Sequence, residues 1–141
     1  MTQILHKERV AQCMRRGAIT CSEETSLRFV AQIMVVNRIR YCAVVSEDHE
    51  VMGLISADNI LNAFGRDFDQ TAVKEILSRD TIVTVTLGTP IEEAVSLMAK
   101  KGIEHLVVVS DRAGSRAVIG MVYASDIAAK MARRQELEAL S

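Results

Sequence analysis

The chain has 141 residues, a length typical of one compact domain or of two halves that share a core. Hydrophobic residues make up 49% of it and charged residues 25%, which indicates a globular rather than a disordered protein. The formal net charge is −1, from 17 basic and 18 acidic residues, and there is no Trp. This balance provides no overall attraction to nucleic acid or to an anionic membrane, so nucleic-acid binding is not favoured.

The three cysteines, Cys13, Cys21 and Cys42, are odd in number, widely spaced and without a C-x-x-C pair. They support neither a disulfide framework nor a zinc site, and they favour the cytoplasm. The first residues, MTQILHKERV, carry charges and no long apolar run, so they do not predict a signal peptide. No window approaches about eighteen apolar residues, so no membrane span is predicted. We therefore expect a cytoplasmic protein without a membrane partner.

The first half of the chain predicts a β-α-β-β-α order. A short helical lead-in, residues 10–14, precedes it, and it ends in a helix near residues 57–64. A polar linker, residues 65–72, leads to a second short helix around residues 73–77.

The second half predicts the same order, beginning with a β-branched strand at residues 81–85. Thr89, followed by Pro90 and by Glu92 three residues after it, is typical of a capped helix start with Thr89 as the cap. Gly102 is placed to end that helix. The remaining elements are two strands, residues 105–110 and 117–123, and a last helix that leads into a charged tail.

The two halves are an internal repeat. Residues 25–46 align with residues 89–110 at a constant offset of 64, and the offset rises to 67 at Gly53/Gly120 because the turn DRAGSRA is three residues longer than its counterpart. A repeat of about 55 residues is near the lower limit for folding alone. We predict an α/β fold of the α+β type, with two β-α-β-β-α repeats packed sheet to sheet about a pseudo-two-fold axis. The predicted ranges are repeat 1 at 10–64, linker at 65–72, repeat 2 at 73–131 and charged C-terminal tail at 132–141.

Each repeat ends its last strand in a polar turn that begins a helix, SADN at residues 56–59 and YASD at residues 123–126. The unpaired N–H groups of a helix start suit a phosphate, and a carboxylate in the first turn can accept hydrogen bonds from a ribose diol. Ser, Asp and Asn are also ordinary caps, so one such turn alone favours capping. Two matching turns shift the balance towards ligand binding.

The G-h-h-[ST]-x-x-D turn, the h-x-x-h-V-V strand and the doubled β-α-β-β-α layout resemble a tandem pair of cystathionine-β-synthase (CBS) domains, a Bateman module standing alone. The resemblance covers residues from about Val10 to Met131. It implies a regulatory module that binds an adenosine-containing ligand, AMP, ADP, ATP or S-adenosylmethionine, in the cleft between the repeats. No cofactor is required, and Mg²⁺ could accompany ATP.

The resemblance also implies two sites, each shared between the repeats. The favoured site would comprise Met14, Gly17, Ala18, Ile19, Ile39, Arg40, Tyr41, Tyr123, Ser125 and Asp126. The mirror site would comprise Ser56, Asp58, Asn59, Thr81, Ile82, Val83, Ile103, Glu104 and His105.

The sequence departs from the family pattern at two positions. Asn59 stands where the family usually has Asp, and Tyr123 stands where Ser or Thr is usual. The site at Asp126 is favoured because a carboxylate forms stronger charge-assisted hydrogen bonds than an amide. Arg40 is the expected phosphate partner. Further candidates for this role are Arg15, Arg16 and His105. Of these, Arg15 and Arg16 are expected to be solvated surface residues.

Catalysis is not favoured, because the histidines are scattered and no G-x-S-x-G, H-E-x-x-H or Walker sequence is present. We expect no catalytic residues and no metal site. The leading hypothesis is a ligand sensor that acts through an unknown regulated protein or through its own assembly. The alternative is a structural or protein-interaction module whose sites do not bind nucleotide.

The helices predict self-association, because each places apolar residues on more than one face. A pair of small sheets is unlikely to cover them all, so we expect a disk-like homodimer in which the helices meet their copies. The residues concerned are Val30, Ile33, Met34 and Val36 in one repeat and Ala94, Leu97 and Met98 in the other.

Overall fold

The computed structural model describes residues 8–77 and 82–140, with side chains described as far as residue 133. In chain order, the strands are β1 (Arg15–Arg16), β2 (Thr20–Cys21), β3 (Tyr41–Val45), β4 (Val51–Ser56), β5 (Thr84–Thr86), β6 (His105–Val109) and β7 (Val118–Tyr123). The helices are α1 (Leu27–Asn37), α2 (Ala57–Asn62), α3 (Ile91–Lys101) and α4 (Ala124–Leu140). Two short 3₁₀ helices span Val10–Gln12 and Val73–Glu75.

The described residues form two compact units. The amino unit holds residues 19–77, 82 and 116–118, and the carboxyl unit holds residues 8–18, 83–115 and 119–140. The amino unit contains the sheet β2-β3-β4, in which β2 pairs parallel to β3 and β3 pairs antiparallel to β4. The carboxyl unit contains the sheet β1-β7-β6-β5, in which β1 pairs antiparallel to β7 and β5 pairs parallel to β6. The predicted α/β class is confirmed, and the packing of sheet on sheet stays a prediction.

Backbone hydrogen bonds reproduce the internal repeat. The N–H of Ile39 donates to the carbonyl of Met34, and the N–H of Ile103 donates to that of Met98, each over 3.0 Å. Both bonds close a helix whose next residue is left-handed, with φ of 66° at Gly102 and 53° at Arg38. Gly102 therefore ends its helix as predicted, and Arg38 adopts the same conformation without a glycine's freedom.

The predicted cap at Thr89 is wrong. The N-cap of α3 is Pro90, which has no side-chain acceptor. The hydroxyl of Thr89 instead accepts a hydrogen bond from the N–H of Thr86 over 3.0 Å. The matching Thr25 accepts from the N–H of Ser22 over the same distance. The repeated threonine therefore stabilises the turn before each helix rather than the helix itself.

Each lead-in segment packs in the unit built mainly from the other repeat. The N–H of Val10 donates to the carbonyl of Thr89, and the N–H of Val73 donates to that of Thr25, each over 2.8 Å. Both valines are 0% exposed and belong to the core of the unit that receives them. The compact units therefore exchange their lead-in segments, and they do not coincide with two consecutive stretches of sequence.

The carboxyl unit contains a largely buried ion pair at positions where the described part of the amino unit has neutral side chains. The ammonium of Lys130 on α4 lies 3.2 Å from a carboxylate oxygen of Glu8, with side-chain exposures of 20% and 5%. The same ammonium donates to the carbonyl of Gln12 over 3.1 Å. At the matching positions the amino unit has Ala63 and Thr71, both buried. The side chains at these two matching positions are thus charged in the carboxyl unit and neutral in the amino unit.

Helix α4 continues through most of the charged segment 132–141, as far as Leu140. The predicted repeat and linker boundaries stay predictions. Across the described ranges, 8–77 and 82–140, no helix combines the length and the apolar composition that a membrane crossing needs.

Candidate functional site

The turn between β7 and α4 is the candidate site of the carboxyl unit. Tyr123 is the last residue of β7, and Asp126 lies in the first turn of α4. The N–H of Ala124 donates to the carbonyl of Glu104 over 2.9 Å, which ties the helix start to the residue before β6. The Asp126 carboxylate is therefore held at the end of the sheet, where the helix dipole favours negative charge.

The lead-in segment is fixed beside this turn. Strand β1 pairs with β7 in the register Arg15↔Met121 and Arg16↔Gly120. A Cβ atom at Gly120 would overlap the carbonyl oxygen of Arg15 and the terminal methyl of Met14. The glycine of the repeated phrase is thus needed because the backbone of β1 approaches it closely.

Arg15 connects the lead-in segment to the predicted ribose carboxylate. Its Nε lies 3.1 Å from Oδ2 of Asp126, and its Nη2 lies 3.1 Å from Oδ1. The guanidinium carbon lies 4.9 Å from the centroid of the Tyr123 ring, a cation–π distance. The hydrogen bonds that Arg15 donates to Asp126 hold the pKa of its guanidinium above its ordinary value.

The sequence favoured a solvated surface position for Arg15, and the structure agrees with that expectation. Its side chain is 58% exposed, but it is bound to the site carboxylate, which is 21% exposed. The pairing of β1 with β7 places Arg15 opposite Met121 and diagonal to Tyr123 on one face, a long-range register that no local pattern of the sequence indicates.

The structure places the residues of the favoured site in both units. Those in the carboxyl unit are Met14, Gly17, Ala18, Tyr123, Ser125 and Asp126, and those in the amino unit are Ile19, Ile39, Arg40 and Tyr41. Within the carboxyl unit, the N–H of Gly17 donates to the carbonyl of Ile119 over 3.2 Å. Within the amino unit, the carbonyl of Arg40 accepts from the N–H of Ala57 over 2.8 Å. The joint function of the two groups stays a prediction.

The matching turn of the amino unit uses its polar side chains locally. The hydroxyl of Ser56 accepts from the N–H of Asn59 over 3.1 Å, and the amide oxygen of Asn59 accepts from the N–H of Ser56 over 2.9 Å. This reciprocal pair is a capping box for α2. Asp58 also lies in the first turn of this six-residue helix. Ser56 and Asn59 therefore both serve to cap α2.

The remaining residues of the predicted mirror site are divided between the two units. Val83, Ile103, Glu104 and His105 belong to the carboxyl unit, Ile82 to the amino unit, and Thr81 lies outside the described residues. His105 begins β6 and is half-buried. Burial lowers the pKa of its imidazole, and Glu104 opposes that shift. Burial is the larger effect and favours the neutral ring at the start of β6.

An exposed apolar surface lies on α1 of the amino unit. Val35 and Val36 are 78% and 79% exposed, and with Phe68 they line a shallow apolar groove. Phe64, just after α2, is 90% exposed. Of the helix residues that the sequence assigned to a dimer contact, Val36 is exposed and Ile33 and Leu97 are half-buried. The others are buried within their own units: Val30, Met34, Ala94 and Met98.

The three cysteines carry free thiols, and those of Cys21 and Cys42 are buried in the amino unit. A hydrogen bond with Cys21, together with burial, raises the pKa of the Cys42 thiol, so it stays protonated. Among residues 8–77 and 82–140, no cluster of three or more His, Cys, Asp or Glu side chains has a geometry suited to a metal ion.

Comparison with known proteins identifies the repeated architecture. The sequence matches the CBS domain family model twice, at residues 10–66 and 73–133. A curated relative, a homoserine O-acetyltransferase of Methanosalsum zhilinae, is 30% identical over 118 residues, which is 84% of this chain and 23% of that protein. The chain thus spans about a quarter of the length of such relatives.

Solved structures show the same fold. A CBS domain pair in complex with 5-methylthioadenosine and S-adenosyl-L-methionine superposes with a TM-score of 0.78 at 24% identity, covering 89% of this chain and 97% of that one. The cytosolic domain of the Mg²⁺ channel MgtE in complex with ATP superposes with a TM-score of 0.73 at 23% identity, covering 86% and 48%.

Proposed function

The chain belongs to the CBS domain family, and from that premise we propose that it is a regulatory module that binds an adenosine-containing ligand at the turn between β7 and α4. One observation carries the proposal. The Asp126 carboxylate lies within hydrogen-bond reach of the Arg15 guanidinium, which itself stacks on the Tyr123 ring. A carboxylate can accept from a ribose diol, an aromatic ring can contact a flat base, and a guanidinium can bind phosphate.

The ligand class is supported by the superposed structures. The ligands named for the two superposed proteins are 5-methylthioadenosine, S-adenosyl-L-methionine and ATP, all of which contain adenosine. For this chain the candidates are AMP, ADP, ATP and S-adenosylmethionine, with Mg²⁺ as a companion to ATP.

The turn at Asp126 ranks above the turn at Asn59. Asn59 already accepts a hydrogen bond from the N–H of Ser56, so a ligand would have to replace that bond. Asp126 carries a full charge, and its present partner is a solvent-exposed side chain that can move away. We therefore propose one principal site per chain.

The module would act by binding rather than by catalysis. Ligand binding in the cytoplasm would then change its contact with a regulated protein or its own assembly. The enzyme names of the curated relatives belong to proteins of which this chain covers about a quarter, so their activities are not carried over.

A thermal-shift panel tests the proposal. Wild type, Asp126→Ala and Asn59→Ala would each be heated with AMP, ADP, ATP, S-adenosylmethionine and inorganic phosphate. A ligand at a hundred times its dissociation constant should stabilise the wild type by about 2.7 kcal/mol. We expect this stabilisation to vanish in Asp126→Ala and to persist in Asn59→Ala. Absence of any shift in the wild type would overturn the proposal.

A second candidate function, a protein-interaction module, is favoured by the exposed apolar surface on α1. We propose that this surface forms a homodimer contact centred on Val35 and Val36. At the matching positions α3 has Ala99 and Lys100, so the contact would be strongest in the amino unit.

Sedimentation velocity at micromolar concentration tests this candidate. The wild type should sediment as a dimer and Val36→Asp as a monomer, because a charge would be buried without a partner. Lys100→Asp is the matched control and should remain a dimer. A monomeric wild type would overturn the dimer.

A further inference from the structure

We propose that Arg15 selects anionic adenine nucleotides over neutral or cationic adenosine compounds, because a ligand must displace its guanidinium from Asp126. This inference rests on the proposed function and names the ligand class of that site. It starts from the contact already present, in which Nε and Nη2 of Arg15 address both oxygens of the Asp126 carboxylate.

The contact occupies the atoms that a ribose diol would need. A carboxylate offers acceptor positions on both oxygens, and the fork of a guanidinium fills one edge of it. Two hydroxyl groups approaching the same edge would therefore compete with Arg15. The pair is held at the helix start, but the arginine is 58% exposed, so it can swing into solvent without breaking the core.

Displacement leaves a cation at the site. The backbone of Arg15 is fixed by the pairing of β1 with β7, so the freed guanidinium stays within a side chain's length of Asp126. It then has five N–H donors and no carboxylate, which is the arrangement that binds phosphate in two-point contacts. A nucleotide would restore the lost charge pairing, whereas adenosine would not.

A cationic ligand meets the opposite situation. The sulfonium of S-adenosylmethionine would lie near the freed guanidinium and would be repelled by it. A guanidinium that leaves Asp126 but stays over the Tyr123 ring, where it now lies 4.9 Å from the centroid, would also keep a ligand cation from that face. The arrangement therefore favours ligands in the order nucleotide, adenosine and sulfonium compound.

Titration calorimetry with adenosine, AMP, ADP and S-adenosylmethionine tests the inference in wild type, Arg15→Ala and Asp126→Ala. In Arg15→Ala we expect the affinity for AMP and ADP to fall by about tenfold or more, as for loss of a charged hydrogen bond. Adenosine and S-adenosylmethionine should bind as tightly as before or more tightly. Arg15→Lys keeps the charge without the fork and should give an intermediate affinity for AMP.

Arg112→Ala is the control, because it removes one exposed positive charge from the turn before β7. It should leave all four affinities within about twofold of wild type, as expected for a screened surface charge. An unchanged ratio of AMP to adenosine affinity in Arg15→Ala would overturn the selectivity while the proposed function stands. Failure of all four compounds to bind the wild type would overturn the proposed function and this inference together.

Discussion

The two turns that begin α2 and α4 have the same backbone hydrogen bond at matching positions, but their polar side chains bind different partners. In the amino unit, Ser56 and Asn59 satisfy each other's N–H groups and stabilise a short helix. In the carboxyl unit, Asp126 is bound by Arg15, a residue 111 positions away in the chain. A turn that closes on itself provides stability, whereas one held by a movable arginine can exchange that partner for a ligand. We therefore propose that the two turns have different functions despite their similar sequences.

The buried ion pair of the carboxyl unit gives the largest expected effect. Lys130→Ala would remove the ammonium that lies beside the buried Glu8 carboxylate, and we expect the free energy of unfolding to fall by about 3 kcal/mol. Adding Glu8→Thr would recreate the amino unit's combination of Thr71 and Ala63 and should recover part of that loss. Urea denaturation measures both. If the double variant lost as much unfolding free energy as Lys130→Ala and Glu8→Thr lose separately, the neutral pair could not replace the ion pair in this unit, which would contradict the prediction.

The repeated glycines should differ in their tolerance of a methyl group. In Gly120→Ala the new Cβ would meet the backbone of Arg15, and we expect a loss of about 2–3 kcal/mol of unfolding free energy. In Gly53→Ala it would lie 2.8 Å from a methyl group of Leu77, a flexible side chain, so about 1 kcal/mol is expected. Equal losses in urea denaturation would show that β1 adjusts as easily as Leu77.

The capping box predicts a smaller difference in unfolding free energy between variants of the two turns. Asn59→Ala removes the acceptor for the N–H of Ser56 and should cost about 1 kcal/mol. Asp126→Ala removes a partly exposed ion pair and should cost about 0.5 kcal/mol without ligand. If thermal unfolding showed Asp126→Ala to be the more damaging change, the carboxylate would have to be regarded as structural.

The smallest expected effect is a pH dependence at His105, where the other repeat has Tyr41. Burial lowers the pKa of His105 in the folded protein, so the unfolded chain binds the proton more tightly. The stability contributed by the neutral ring is complete above the unfolded pKa, about 6.5, and is lost as the pH falls below it. His105→Gln should therefore lose less stability than wild type between pH 8 and pH 5.5. Parallel profiles for the two proteins would contradict this.

The sequence predicted most of the fold because the repeat signals are local. Hydrophobic periodicity and Gly102 located the strands and the end of α3 within a few residues. It failed at Thr89, because a threonine before proline reads as a cap while its hydroxyl can equally bond the preceding turn.

The sequence could not show which unit each lead-in segment joins, because that is decided by burial of Val10 and Val73 in distant cores. Nor could it show that Arg15 binds Asp126, since that contact depends on the register of β1 with β7. Long-range contacts of this kind leave no periodic pattern in the sequence. The contact of Arg15 with Asp126 is what distinguishes the turn of the carboxyl unit from that of the amino unit.

Isothermal titration of the chain with the adenosine ligand that gives the largest thermal shift would show which of the two turns binds it. We expect one binding event per chain, lost in Asp126→Ala and retained in Asn59→Ala. Binding that survives Asp126→Ala and disappears in Asn59→Ala would contradict it, because the self-capped turn would then be the working site.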